Sequence, residues 1–84
     1  MKAKVFEGQN GSLSSKQMRT FRKFRQRLSE KVPEYHVLWV RPYNERIIKV
    51  GLEPQKKIGY RKMQQMVNLA IEVGDEADLV IIPS

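Results

Sequence analysis

The segment Leu13–Val32, LSSKQMRTFRKFRQRLSEKV, decides how the rest of the chain is read. Met18, Phe21, Phe24, Leu28 and Val32 recur at steps of three and four, which places them on one helical face. Ser14 and Gln17 stand at capping-box spacing, with Leu13 and Met18 at the two positions of a hydrophobic staple. At the far end Lys31 suits the negative pole of a helix, and Pro33 disfavours helical backbone at Val32. The spacing therefore predicts one amphipathic helix. At about 100° per residue, Lys16, Arg19, Lys23 and Arg27 fall in a single stripe opposite the apolar face.

This helix also holds nearly all the excess charge. Lys16, Arg19, Arg22, Lys23, Arg25, Arg27 and Lys31 face only Glu30, a balance of +6 in a protein whose net charge is +7. A pI near 10.0 points to an anionic partner, nucleic acid first, then acidic membranes or acidic proteins.

Outward from the helix, Lys2–Glu7 (KAKVFE) alternates polar and apolar residues as a strand does, and Gly8–Ser12 is rich in turn residues. After Pro33, Tyr35–Arg41 (YHVLWVR) is aromatic and β-branched, so a strand is expected. Pro42–Glu45 supplies a turn, and Arg46–Leu52 (RIIKVGL) returns as the second arm of a hairpin. Glu53–Gly59 reads as a polar loop. Tyr60–Val73 predicts a second helix burying Met63, Met66, Val67 and Ala70, with Gly74 as its C-terminal cap. Asp78–Ile82 is a final, nearly all-apolar strand.

The expected fold is α+β: a two-layer βαββαβ sandwich with both helices on one side of a four-stranded sheet. The ferredoxin-like split βαβ leads, and an open-faced sandwich of another strand order competes. Residues 1–84 are expected to form a single domain, with room for a modest core. Without cysteine, disulfides and thiolate chemistry are excluded. No stretch has the length of a membrane span, and the N-terminus lacks the apolar run of a signal peptide, so a cytoplasmic protein is expected.

Three surfaces are candidates for binding. The basic stripe Lys16, Arg19, Lys23 and Arg27, extended by Arg22, would contact phosphates, since each neutralised phosphate releases counterions. Read blandly, it is a solvated face, although such faces usually mix signs. Lys56, Lys57, Arg61 and Lys62 gather at the start of the second helix, where their charge opposes the macrodipole and an anion would relieve the conflict. Long lysines reaching into water explain this cluster equally well. The third is the open face of the sheet. If Leu38, Val40, Ile48 and Val50 face the helices, then Tyr35, Val37, Trp39 and Arg41 face away, beside Ile47 and Lys49. Such a face stacks bases, or forms a homodimer.

Catalytic constellations are missing. His36 is the single histidine, and Glu72, Asp75, Glu76 and Asp78 read as a solvated rim rather than a metal site. No glycine-rich nucleotide fingerprint, serine elbow or zinc-ligand pair occurs. Asn68–Ile81 (NLAIEVGDEADLVI) resembles the helix-to-strand passage of histidine-containing phosphocarrier proteins. The histidine such carriers phosphorylate would fall near Leu13–Lys16, where this chain has serines, so the resemblance carries no chemistry. The expectation is a nucleic-acid-binding protein without enzymatic activity, cofactor or metal, contacting phosphates through its first helix. Two other classes stay open: a protein-binding regulator, for instance a virus-encoded inhibitor that sets the basic helix against an acidic surface, and a small structural subunit of a ribonucleoprotein.

Overall fold

The computed structural model describes residues 13–55 and 57–84. Helix α1 (Ser15–Lys31) begins with the expected capping box: the Gln17 N–H donates to Ser14 Oγ at 3.1 Å, and the Ser14 N–H donates to Gln17 Oε1 at 3.0 Å. It closes at Val32, whose N–H donates to the Leu28 carbonyl at 2.8 Å. Phe21, Phe24, Leu28 and Val32 are buried, and Leu13 and Met18 pack against the same core. The predicted apolar stripe is the buried one.

Strand β1 (Tyr35–Pro42) then pairs antiparallel with β2 (Ile47–Pro54). Asn44 shapes the turn between them, its Oδ1 accepting the N–H groups of Arg46 and Ile47 at 2.8 and 3.0 Å. Helix α2 (Tyr60–Ala77) leads into β3 (Val80–Pro83), which pairs parallel with β2. The described order is αββαβ on a mixed three-stranded sheet, β1-β2-β3. One cluster joins Phe21, Phe24 and Leu28 of α1, Met66, Leu69, Ala70 and Val73 of α2, and Val40, Ile48, Val50 and Ile81 of the strands. Both helices thus cover one face of the sheet. The other face carries Trp39, Arg41, Ile47, Lys49 and Ile82.

Several expectations need correction. A split βαβ requires a strand between β2 and β3, but these two are hydrogen-bonded neighbours, so the β2-α2-β3 unit is unsplit. The strand expected at Lys2–Glu7 lies outside the described residues. Helix α2 runs through Gly74 rather than stopping there. Its C-cap is Asp78, in the left-handed region at φ 60°, and the Leu79 N–H folds back onto the Gly74 carbonyl at 2.8 Å. Gly74 is small because the chain returns over it: a Cβ there would stand 2.7 Å from the Leu79 carbonyl oxygen. The buried face of α2 is Met66, Leu69, Ala70 and Val73, while Met63 is 42% exposed.

The face assignment of β1 also changes along its length. Val37 pairs with Leu52 and Trp39 with Gly51, which leaves Leu38 as an extra residue in a β-bulge. Before the bulge Tyr35 and Val37 point inward and pack on the core, so they leave the open face where alternation had put them. Leu38, expected inside, is exposed. Beyond the bulge the alternation returns, with Val40 buried and Trp39 and Arg41 outward. Partial burial pushes the Tyr35 phenol above its ordinary pKa, in keeping with its inward position.

Candidate nucleic-acid interface

The outer surface of α1 exposes Lys16, Arg19, Arg22 and Lys23, with Arg27 half-buried. Over the eleven steps from Lys16 to Arg27 these cations extend along about 16 Å of helix axis. The stripe does not stand free opposite the sheet, as helical period alone suggested. Helix α1 packs on two sides, against the sheet and against α2, so the flank bearing Lys16, Arg19 and Lys23 borders a shallow groove. Thr20 lies at its base, and Val73, Glu76 and Ala77 of α2 form the opposite wall.

Glu76 changes the electrostatics of that groove. Its carboxylate accepts from Lys23 Nζ at 3.1 Å and from Arg27 Nη1 at 3.2 Å. Those two hydrogen bonds hold its pKa below the usual carboxylate range, so it remains charged at neutral pH. Two of the stripe's cations therefore already have an anionic partner, from an element 49 and 53 residues away in sequence. Lys16, Arg19 and Arg22 have no acidic partner among the described residues. Gln17, buried at 3% exposure, donates its Nε2–H groups to the Asn44 and Glu45 carbonyls at 2.8 and 3.3 Å. That contact ties the N-terminal end of the cationic helix to the hairpin turn.

The second cluster is less of a unit than the sequence implied. Lys56 lies outside the described residues. Lys57 and Arg61 are exposed, but Lys62 reaches back to Glu34 at 3.5 Å and links α2 to the segment before β1. Gly59 caps α2 without a side-chain hydrogen bond, and no acid occupies the first turn.

On the open sheet face, Trp39 and Arg41 follow one another along β1, and Tyr43 stands just beyond its end. The indole lies against Gly51, where any Cβ would overlap it, and the Arg41 guanidinium stands over the ring, 4.4 Å from its centre. Lys49 sits 5.1 Å from the Tyr43 ring centre. Arg41 and Lys49 are direct cross-strand partners, a like-charge pairing that is unfavourable by itself. Each is drawn over an aromatic ring instead, which offsets the repulsion. Ile47 flanks them, half-buried. Of the six residues assigned to this face from sequence, Trp39, Arg41, Ile47 and Lys49 are there, and Tyr35 and Val37 are not.

His36 is exposed at the start of β1. The acids near the end of α2 disperse: Glu76 turns to α1, and Asp78 lies 3.9 Å from Arg46. No group of three potential metal-ligating residues is found among the described residues. Among them, too, no helix is long and apolar enough to cross a membrane. Sequence reasoning missed three residues that shape these surfaces. Local sequence places Glu76 only in an acidic rim, because its partners are long-range. Capping-box spacing marks Gln17 as a cap but carries no sign of its bridge to the hairpin. Gly51 carried no signal except being a glycine inside a strand.

No protein-family model, curated protein or solved structure matches this chain.

Proposed function

We propose that this protein binds nucleic acid through the exposed face of α1, with Lys16, Arg19 and Arg22 as the primary phosphate contacts. The observation that carries this reading is that these three cations line one rigid helix and have no acidic partner among the described residues. A row of unneutralised cations gains affinity for a polyanion by counterion release, without any shaped pocket. Lys23 and Arg27 belong to the same surface but stay engaged by Glu76 in the wild type, and join the phosphate contacts only when that carboxylate is removed or protonated. Lys57 and Arg61 extend the positive field at the start of α2.

The open sheet face is a weaker candidate for base stacking than its composition implies. The rings on this face already have partners: the Trp39 indole lies against Gly51 with Arg41 over it, and Lys49 stands over Tyr43. A homodimer across this face would bring Arg41 and Lys49 against their own copies, a second like-charge conflict.

One observation favours the other class of partner. Glu76 shows that the stripe accepts a carboxylate, so an acidic protein surface would satisfy the same cations. Co-purification with and without nuclease treatment separates the two: partners lost on nuclease treatment support nucleic acid, and partners retained support a protein. Direct binding of a fluorescent DNA duplex tests the residues. Lys16→Ala, Arg19→Ala and Arg22→Ala together are expected to remove most of the affinity at matched salt while the circular dichroism spectrum is retained. Unchanged affinity in the folded triple variant refutes the assignment.

A further inference from the structure

Helix α2 has a second apolar surface that the core does not use. Tyr60, Met63 and Ile71 are 72%, 42% and 56% exposed, and Val67 between them is half-buried against the edge of the core. At helical spacing these four form one stripe along the axis. Ile71 lies about 140° around the helix from Glu76, which faces α1, so the stripe is on the flank turned away from α1. A soluble helix places apolar residues there at a cost in solubility unless something covers them.

The charges of α2 are also distributed against its own dipole. Its N-terminal end carries Lys57, Arg61 and Lys62, with no acid in the first turn and no side-chain cap. Its C-terminal end carries Glu72, Asp75, Glu76 and Asp78, with no base in the last turn. Each end therefore repels the helix pole beside it. Within the chain Lys62 is met by Glu34, Glu76 by Lys23 and Arg27, and Asp78 by Arg46, which leaves Lys57, Arg61, Glu72 and Asp75 without an ion-pair partner among the described residues. Between two antiparallel copies of the same helix the arrangement becomes complementary, because each cationic end lies beside the anionic end of its neighbour.

We infer that α2 pairs with α2 of a second copy of this chain, antiparallel about a twofold axis near Val67. In that arrangement Met63 faces Ile71 of the second copy, Val67 meets its own counterpart, and Lys57 and Arg61 lie alongside Asp75 of the second copy. The interface is isologous, so one stripe provides both sides of it. A stripe of four residues per copy is smaller than a standard stable interface, and the dimer is weak and concentration-dependent. It leaves the outer surface of α1 uncovered, and it does not rest on the nucleic-acid reading.

Sedimentation equilibrium of the nucleic-acid-free protein, over micromolar to millimolar concentrations, tests the inference. The wild type is expected to self-associate. Ile71→Asp, at an exposed position that the fold does not need, is expected to raise the dimer Kd by about tenfold or more. Arg61→Asp should weaken association as well, and adding Asp75→Arg to it should restore association. A wild type that stays monomeric throughout overturns the inference. So does an Ile71→Asp variant that dimerises like wild type, whether or not Trp39→Ala then abolishes the dimer, the second case placing the interface on the open sheet face. A charge-swapped double variant that fails to recover overturns the antiparallel pairing.

Discussion

Replacing Glu76 by Gln should make the protein bind DNA more tightly at low salt and lose that affinity more steeply as salt rises. Lys23 and Arg27 make two hydrogen bonds to this carboxylate. While they persist, the cations of α1 that the proposed function leaves to contact phosphates are Lys16, Arg19 and Arg22. Three contacts to duplex DNA give a log–log salt slope of about −2.7, at about 0.9 per contact. Freeing Lys23 and Arg27 raises the contacts to five and the slope to about −4.5. Between about 50 and about 200 mM salt, the wild type should then lose about 40-fold in affinity and Glu76→Gln about 500-fold.

Fluorescence anisotropy of a labelled duplex, titrated at four or five salt concentrations, measures both slopes. Glutamine keeps the shape of the side chain, and the ion pairs it removes are on the surface, so the fold should be retained. The sign of the pH dependence follows from the lowered pKa of Glu76. A depressed carboxylate contributes stability that is fully present above its unfolded-state value and is lost as pH falls through the folded-state value. The masking of Lys23 and Arg27 is therefore complete at neutral pH, and the wild-type slope should steepen only below the ordinary carboxylate range. Equal slopes for wild type and Glu76→Gln, both at neutral pH, would refute the reasoning. Either Lys23 and Arg27 would then lie outside the binding surface, or DNA would displace Glu76 without cost.

Two further predictions test the scaffold. Phe24 is fully buried between α1 and the sheet, so Phe24→Ala should destabilise the protein by about 3–5 kcal/mol in urea unfolding; a loss below about 1 kcal/mol would show that α1 is not anchored there. Gly51→Ala would drive a methyl group into the Trp39 indole, costing about 1–3 kcal/mol and red-shifting Trp39 emission as the ring lifts off the strand. Unchanged stability together with an unchanged emission maximum would mean that the indole does not rest on Gly51.

Much of the local structure was legible in the sequence because local physics decides it. The 3.6-residue period of Phe21, Phe24 and Leu28 exposes which face of α1 must be buried, and the side chains of Ser14 and Gln17 satisfy backbone N–H groups only one turn away. The hairpin followed from β-branched and aromatic runs around Pro42–Glu45, where Asn44 caps the turn with its own side chain. That α1 carries nearly all the net charge is a matter of composition alone.

What the tertiary structure decided depends on contacts between residues far apart in the chain. The bulge at Leu38 reverses which side of β1 faces the core, and nothing in YHVLWVR marks it. It reflects how Val37 and Val40 both reach the helix-covered side, opposite Leu52 and Val50. Direct pairing of β2 with β3 is a choice among strand orders that all bury the same apolar residues. Gly74 reads as a helix stop by local rules, yet it is small so that Leu79 can fold over it. Most consequential for the proposed function, Glu76 engages both Lys23 and Arg27 from the neighbouring helix and offsets one of their two charges. Helical period places cations in a stripe, but only packing determines which of them already has a partner, because electrostatic attraction acts through space and not along the chain.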